Sequence, residues 1–201
     1  MSLRVIEVFH SLQGEGAWCG TYATFVRLAG CNLACSFCDT AYAREEAGRE
    51  ITPEQLAGLI GDAPFVVWTG GEPLLHQEAI YRTIDLLPDT THLLETNGTI
   101  IPDDPYAFLD ITVSPKGEVD WAAWREIKNA AFKFVATGPV ADISRLVHDV
   151  DLPRSACFVM PLTGPGIDTL AAHRHVADQC AALGLNFSPR LQTLFGWGRG
   201  Q

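Results

Sequence analysis

The sequence lacks the features of membrane, secreted and nucleic-acid-binding proteins. It has no apolar run near the ~20 residues that a membrane-spanning helix needs. Residues 1–7 lack the basic region and long apolar stretch of a secretory signal peptide. Basic residues are scarce, with 14 Lys and Arg against 24 Asp and Glu, which gives a net charge of −10. We therefore expect a cytoplasmic protein with no general attraction to nucleic acid or to a membrane of anionic lipids.

The composition that remains is that of a compact enzyme. Of the 201 residues, 47% are hydrophobic and 19% are charged, which is typical of a globular domain rather than a disordered segment. No repeat or long linker divides the chain, so we expect a single domain over residues 1–201.

Short apolar runs alternate with helical patterns along the chain. The apolar runs predict strands over 23–28, 65–69, 92–96, 110–113, 131–135, 157–160 and 185–188. The helical patterns follow a capping box at Thr52 and cover 77–87 and 169–183. Strands that are apolar on both faces and separated by helices indicate a parallel sheet. A complete α/β barrel takes ~250 residues, so the fold class is α/β with an incomplete, TIM-like barrel of about six or seven strands.

Three cysteines stand together where a fourth is missing. Cys31, Cys35 and Cys38 have the spacing C-x3-C-x2-C, and Cys19, Cys157 and Cys180 lie apart from them. A tetrahedral zinc site or a four-thiolate cluster normally has four ligands. Three thiolates on a four-iron cluster leave one iron open to a small molecule. Two alternatives remain from spacing alone: a zinc site with Asp39 as the fourth ligand, or buried thiols without a metal.

A second motif follows the strand expected at 65–69. Gly70-Gly71-Glu72-Pro73 lets the backbone approach a ligand closely and offers a carboxylate to an amino group, although on its own it could be an ordinary turn. Together, the cysteine motif and this glycine motif closely resemble the radical S-adenosylmethionine (radical SAM) enzymes. The resemblance implies a [4Fe-4S] cluster on the three cysteines, S-adenosylmethionine on the open iron, and a 5′-deoxyadenosyl radical from its reductive cleavage.

The same resemblance implies which residues bind S-adenosylmethionine. These are Phe37, Cys38, Asp39, Gly71, Glu72, Ser114, Pro115 and Lys116. From the residues alone, Phe37 is equally consistent with core packing, and Ser114-Pro115-Lys116 with an exposed turn.

Further segments resemble the 7-carboxy-7-deazaguanine synthases within that superfamily, over nearly the whole chain. These segments are 9–16, 25–31, 38–40, 95–99, 114–116, 132–135 and 188–191. That family converts 6-carboxy-5,6,7,8-tetrahydropterin to 7-carboxy-7-deazaguanine with loss of ammonia, on the route to queuosine-type tRNA bases.

The family resemblance also implies a substrate site. Its expected members are Leu12, Gln13, Gly14, Glu15, Arg27, Thr69 and the terminal residue Gln201. Arg27 suits the substrate carboxylate because a guanidinium can bind it with two parallel hydrogen bonds. The alternative for Arg27 is a surface ion pair. One departure from the family is Gln192, where relatives often have His.

A magnesium ion is the last implied ligand. By resemblance, the Thr40 hydroxyl binds Mg²⁺ together with the substrate; from sequence chemistry alone, Asp39 and Thr40 would simply cap the following turn.

The rival functions are a small radical SAM activase that installs a glycyl radical on a partner protein, and a non-catalytic iron–sulfur or zinc module. We expect a homodimer that receives electrons from a reducing protein such as flavodoxin or ferredoxin.

Overall fold

A single mixed sheet organises the chain in the computed structural model, which describes residues 1–197. Within that range, nine strands hydrogen-bond in the order β3-β1-β2-β4-β5-β6-β7-β8-β9. The strands are β1 Leu3–Leu12, β2 Tyr22–Leu28, β3 Arg49–Ile51, β4 Phe65–Gly70, β5 Thr91–Thr96, β6 Asp110–Val113, β7 Ala130–Ala136, β8 Cys157–Pro161 and β9 Asn186–Phe187. The edge strands β3 and β9 are not paired with each other, so the barrel is open, as the sequence predicted.

Every strand that the sequence predicted is present, and these strands, β2, β4, β5, β6, β7, β8 and β9, run parallel to one another. The sequence did not predict β1 and β3. Both are antiparallel to their neighbours, with β1 lying between β2 and β3. The strand β1 therefore extends the sheet on the side where the incomplete barrel begins.

Seven α-helices accompany the sheet in the described part of the chain. They are α1 Ala41–Glu45, α2 Pro53–Ile60, α3 Gln77–Asp85, α4 Trp121–Glu126, α5 Val140–Asp149, α6 Thr169–Leu183 and α7 Leu191–Leu194. The capping box predicted at the start of α2 is present, with Thr52 and Gln55 exchanging hydrogen bonds. Gly184 ends α6 in the left-handed conformation, as the sequence predicted. No helix within residues 1–197 is long and apolar enough to cross a membrane.

Alternation along the strands divides the sheet into two faces. One face packs against the helices and forms the main core, in which Trp68 and Leu94 are buried with Trp124 of α4. The opposite face carries a smaller apolar cluster around Val67 and Leu93. Beyond that cluster, towards the carboxyl ends of the parallel strands, the same face becomes polar and forms a cavity.

Candidate functional site

A cavity of about 460 Å³ lies at the carboxyl ends of the parallel strands. Parallel α/β proteins place their active sites at this end, because the loops that follow the strands meet there. The wall contains most of the residues that the sequence predicted for cofactors and substrate: Leu12, Gln13, Gly14, Glu15, Arg27, Cys31, Cys35, Phe37, Cys38, Asp39, Thr40, Thr69, Gly71, Ser114 and Lys116. Residues far apart in the chain therefore come together around one space.

The three clustered cysteines lie on the loop after β2 and line this cavity. All three are free thiols; Cys31 and Cys35 are half-buried, and Cys38 is exposed. The backbone N–H of Leu33 lies 3.4 Å from the Cys31 sulfur, and the Asn97 amide nitrogen lies 3.9 Å from it. Such N–H groups stabilise thiolates and tune iron–sulfur clusters. The donor set of three soft thiols fits an iron–sulfur cluster.

The glycine motif packs directly against the cysteine loop. The Gly71 N–H donates to the Leu28 carbonyl at 3.1 Å, and the Glu72 N–H donates to the Gly30 carbonyl at 2.9 Å. A Cβ on Gly71 would overlap the Gly30 carbonyl and touch the side chain of Cys31. Glycine is therefore required for the two loops to approach each other beside the cysteines.

Within residues 1–197, no three His, Cys, Asp or Glu side chains gather closely enough to bind one common metal ion. A four-iron cluster does not need such a group, because each of its cysteines binds a different iron.

The structure does not bring the Glu72 side chain to the cavity wall. Glu72 is fully buried behind the loop. One carboxylate oxygen accepts from the Leu74 N–H at 3.0 Å and from the Thr96 hydroxyl at 2.9 Å. The other accepts from the Asn97 N–H at 2.8 Å. The carboxylate thus joins the glycine loop to the loop that follows β5.

The other residues predicted for S-adenosylmethionine lie on two sides of the cavity. Phe37 is 37% exposed, so it is not packed in the core, which was the alternative interpretation. Ser114 is buried and accepts from the Lys116 ammonium at 3.0 Å. Pro115, between them, is not among the wall residues found in the described chain. Asp39 forms an ion pair with Arg190.

The end of β1 and the loop after it carry four of the residues predicted for the substrate, Leu12 to Glu15. The Gln13 N–H donates to the Thr21 carbonyl at 2.7 Å, which closes the loop. The Gly14 carbonyl accepts from the Leu191 N–H at 3.1 Å, and the Gly16 N–H donates to the Ser188 hydroxyl at 2.8 Å. The segment near the end of the chain therefore fixes the loop against the cavity.

Arg27 lies on the cavity face of β2 and forms an ion pair that is mostly shielded from solvent. Its Nε donates to Glu7 at 2.7 Å, and the two side chains are 13% and 17% exposed. The guanidinium carbon lies 5.5 Å from the centre of the Phe9 ring and 5.7 Å from that of Tyr42. The ion pair that the alternative gave for Arg27 is therefore present, but it is mostly shielded from solvent rather than exposed at the surface. Two aromatic rings and one carboxylate orient this cation beside the cavity.

Thr40 is the residue before α1, but its hydroxyl does not cap that helix. The hydroxyl lies 3.8 Å from the Cys38 sulfur and lines the cavity. The alternative role of a helix cap is therefore not what this side chain does. Thr69 lies on the neighbouring strand β4, paired in register with Arg27.

Several other wall residues were given no role from the sequence, and four of them form one group with Glu15. Glu95 and Lys133 are charged residues within apolar strands, and Arg190 and Gln192 follow the last strand. A charged side chain inside an apolar strand is itself a signal of a functional site. This signal does not identify the residue with which each charged side chain pairs, because pairing depends on the order and register of the strands in the sheet. Gln201 lies outside the described residues.

Buried ion pairs link these residues to Glu15. The Lys133 ammonium lies 2.8 Å from one oxygen of Glu15 and 2.7 Å from one oxygen of Glu95. The Arg190 Nε lies 3.0 Å from the other Glu15 oxygen, which also accepts from the Gln192 amide. The second amide atom of Gln192, its oxygen, is buried without a partner among the described residues.

Comparison with known proteins agrees with the family that the motifs resemble. The sequence model of the radical SAM superfamily matches residues 25–139. The 7-carboxy-7-deazaguanine synthase of Hyperthermus butylicus is 40% identical over 96% of this chain and 92% of its own length. That of Pyrobaculum aerophilum is 34% identical over 98% of this chain and 95% of its own. The crystal structure of QueE from Escherichia coli superposes with a TM-score of 0.73 at 27% identity, covering 94% of this chain and 93% of that one.

Proposed function

The chain belongs to the radical SAM superfamily and, within it, to the 7-carboxy-7-deazaguanine synthase family. We infer that this enzyme forms 7-carboxy-7-deazaguanine. Its substrate is 6-carboxy-5,6,7,8-tetrahydropterin, and the reaction releases ammonia in deazapurine biosynthesis. The observation that carries this inference is the cavity itself, which joins three free thiols to a polar wall suited to a small heterocycle. We further propose that residues 1–201 act as one catalytic domain.

The cofactors are a [4Fe-4S] cluster and S-adenosylmethionine, which together supply a 5′-deoxyadenosyl radical when both are bound. Cys31, Cys35 and Cys38 would hold the cluster. In this proposal Gly71 presents backbone to the methionine moiety, while Phe37 and Ser114 contact the adenosine part. Cys38, Asp39 and Lys116 lie on the same wall and complete the S-adenosylmethionine side of the cavity.

Two of the residues proposed for S-adenosylmethionine act from behind the wall. Glu72 fixes the glycine loop through its three hydrogen bonds. Pro115 sets the backbone between Ser114 and Lys116, since its ring fixes its own φ angle.

In this proposal the substrate occupies the part of the cavity that is lined by the loop after β1 and by the ends of β2 and β4. Arg27 binds the carboxylate, because its guanidinium is charged, planar and already oriented by Glu7. Leu12, Gln13 and Gly14 offer backbone and amide groups to the ring edge, and Glu15 accepts from a ring N–H. Thr69 adds a hydroxyl from β4, next to Arg27. The carboxylate of Gln201 is proposed as a further contact.

We also propose that Mg²⁺ binds the Thr40 hydroxyl and the substrate together. A hard neutral oxygen with no capping role, beside the last cysteine, supports this placement. The enzyme is further proposed to be a cytoplasmic homodimer that receives electrons from a reducing protein such as flavodoxin or ferredoxin.

The function is tested by anaerobic incubation of the reconstituted enzyme with S-adenosylmethionine, a reductant and 6-carboxy-5,6,7,8-tetrahydropterin. Mass spectrometry should detect 7-carboxy-7-deazaguanine, and deuterium placed at C6 of the substrate should appear in 5′-deoxyadenosine. Cleavage of S-adenosylmethionine without any change in the pterin would contradict the proposed substrate. Transfer of a radical to a partner protein would support the activase instead.

Matched cysteine variants test the cluster separately. Cys35→Ala should lose the iron that wild type binds, about four per chain for such a cluster. Cys180→Ala should keep it, because Cys180 is buried in the core with α6. Stoichiometric zinc in wild type, without iron, would contradict the cluster.

A further inference from the structure

Lys133 is a buried cation on the cavity face of β7. Its side chain is 4% exposed, while its neighbours Phe132 and Phe134 pack into the main core on the other face. An ammonium removed from water is strongly destabilising unless it is paired with good geometry. The ammonium reaches two carboxylates that lie on different segments, Glu15 on the loop after β1 and Glu95 on β5. Lys133 therefore binds the two sides of the cavity wall to each other.

The two carboxylates have different surroundings. Burial alone would raise the pKa of Glu15, but the charges of Lys133 and Arg190 outweigh it and lower the pKa to about 2. Burial raises the pKa of Glu95, and Lys133 offsets this only in part because the negative charge of Glu15 opposes it. Within residues 1–197, the second oxygen of Glu95 accepts from a neutral donor, the Gln13 amide, at 2.9 Å.

The charges of this group do not balance when all members are ionised. Glu15, Glu95 and Asp39 carry three negative charges, whereas Lys133 and Arg190 carry two positive charges. All five residues line the cavity. Within this group the carboxylates therefore outnumber the cations by one, which suits a ligand edge that offers N–H donors to them.

We propose that Lys133 is a positioning residue, which holds the carboxylates of Glu15 and Glu95 side by side so that both face the N–H edge of the heterocycle. This inference rests on the proposed function. Without the shared cation, two neighbouring buried carboxylates repel each other and turn apart or take up a proton. Lys133 prevents both changes by binding one oxygen of each carboxylate.

A double-mutant cycle on ligand affinity tests the proposal. The variants are Lys133→Met, Glu95→Gln and the double variant, all with reconstituted cluster. Calorimetry without reductant measures binding of 6-carboxy-5,6,7,8-tetrahydropterin, so that no turnover occurs. Each single variant should weaken binding by about ten-fold or more, the effect of losing one charged hydrogen bond. The double variant should bind the pterin about as tightly as the single variant with the lower affinity, because Lys133 acts through the carboxylates.

Two controls separate positioning from loss of structure. Lys128→Met removes an exposed lysine outside the cavity and should leave pterin affinity unchanged. The affinity for S-adenosylmethionine and the iron content should stay within about two-fold of wild type in all variants. Lys133 pairs with Glu15 and Glu95, and neither of these is assigned to S-adenosylmethionine or to the cluster. If Lys133→Met does not fold, Glu95→Gln still carries the test, because Lys133 keeps its pair with Glu15 there.

Unchanged pterin affinity in a folded Lys133→Met or Glu95→Gln variant would overturn the proposal, as would fully additive effects in the cycle. Failure of the proposed function would appear differently, as wild-type enzyme that neither binds nor converts the pterin. The two failures are therefore distinguishable.

Discussion

At the scale of single residues, the cavity is built from charged side chains placed among apolar ones. Arg27 and Lys133 each lie between two buried apolar side chains of the main core, and Glu95 lies between one such side chain, Leu94, and the buried Thr96. Because successive side chains on a strand point to opposite faces, one strand serves the core and the cavity together. The position of each charged residue along its strand therefore places its side chain on the cavity face of the sheet.

Arg27→Lys is expected to weaken substrate binding while keeping the positive charge. Lysine cannot make two parallel hydrogen bonds to a carboxylate, and its ammonium is not planar between Phe9 and Tyr42. We expect the KM for the pterin to rise by about ten-fold or more. Steady-state kinetics should show S-adenosylmethionine cleavage without substrate largely kept. Arg145→Lys, at an exposed position of α5, is the control. Unchanged KM in Arg27→Lys would mean that Arg27 serves only its pair with Glu7.

Glu72→Gln is expected to lower the free energy of unfolding by about 1–3 kcal/mol, the effect of a buried donor left unsatisfied. All three groups that bond Glu72 are donors, so an amide NH₂ in place of one oxygen faces another donor. Anaerobic urea unfolding measures the change, with Glu118→Gln as an exposed control. Equal stability of Glu72→Gln and wild type would show that the carboxylate does not join the two loops.

Motif residues could be predicted from the sequence, whereas their partners could not. The cysteines and Gly71 were predicted because their spacing is local and their chemistry is specific. The pairing of Lys133 with Glu15 and Glu95 depends on which strands are neighbours and in which register. Neither the strand order nor the register can be predicted from a short segment of sequence. The same reason hid the buried position of Glu72, whose motif suggested contact with a ligand.

At the scale of elements, the parallel strands were predictable because both of their faces are buried. Strand β1 was missed because most of its residues are half-buried or exposed, and it pairs antiparallel to β2. Helix α5 was also missed, although Val140 and Val147 lie at helical spacing and are both buried, so its apolar pattern was present in the sequence. A strand with weakly buried residues such as β1 carries a weaker apolar pattern, so its pairing determines it.

The buried carboxyl group of Asp110 makes the stability of the fold depend on pH. Burial raises the pKa of Asp110, at the start of β6, to about 6, and a hydrogen bond with Trp18 lowers it only in part. One Asp110 oxygen has no partner among the described residues. The pKa of an aspartate in an unfolded chain is about 3.9. The folded state thus binds this proton more tightly, so the stabilising contribution is present at low pH and is lost as pH rises through about 6.

Asp110→Asn is expected to remove this dependence. Thermal unfolding across roughly pH 3.5 to 8 should show wild type losing stability relative to Asp110→Asn between about pH 4 and 6.5, and little further change above that. Asp89→Asn is the control, since Asp89 is exposed. Parallel curves for wild type and Asp110→Asn would contradict the raised pKa.

At the scale of the whole molecule, the charge and the open sheet act on the same cavity. The chain carries a net charge of −10, and the cavity collects Glu15, Glu95 and Asp39 at one end of the sheet. A carboxylated substrate is repelled by these carboxylates, and cations on the same wall, among them Arg27 and Lys116, offset that repulsion only in part. A divalent cation near Thr40 would reduce the repulsion and orient the substrate at the same time.

Removal of Mg²⁺ is therefore expected to slow turnover while leaving iron content and S-adenosylmethionine binding intact. Thr40→Val removes the hydroxyl at nearly constant shape, so it should reproduce the effect of metal depletion and make the enzyme insensitive to added Mg²⁺. Thr40→Ser keeps the oxygen and should keep the response. Because the Thr40 hydroxyl does not cap α1, Thr40→Val should not change the melting temperature through that helix. Titration of Mg²⁺ against the initial rate, for the three proteins side by side, measures the effect. Equal Mg²⁺ dependence in wild type and Thr40→Val would remove Thr40 from the metal site.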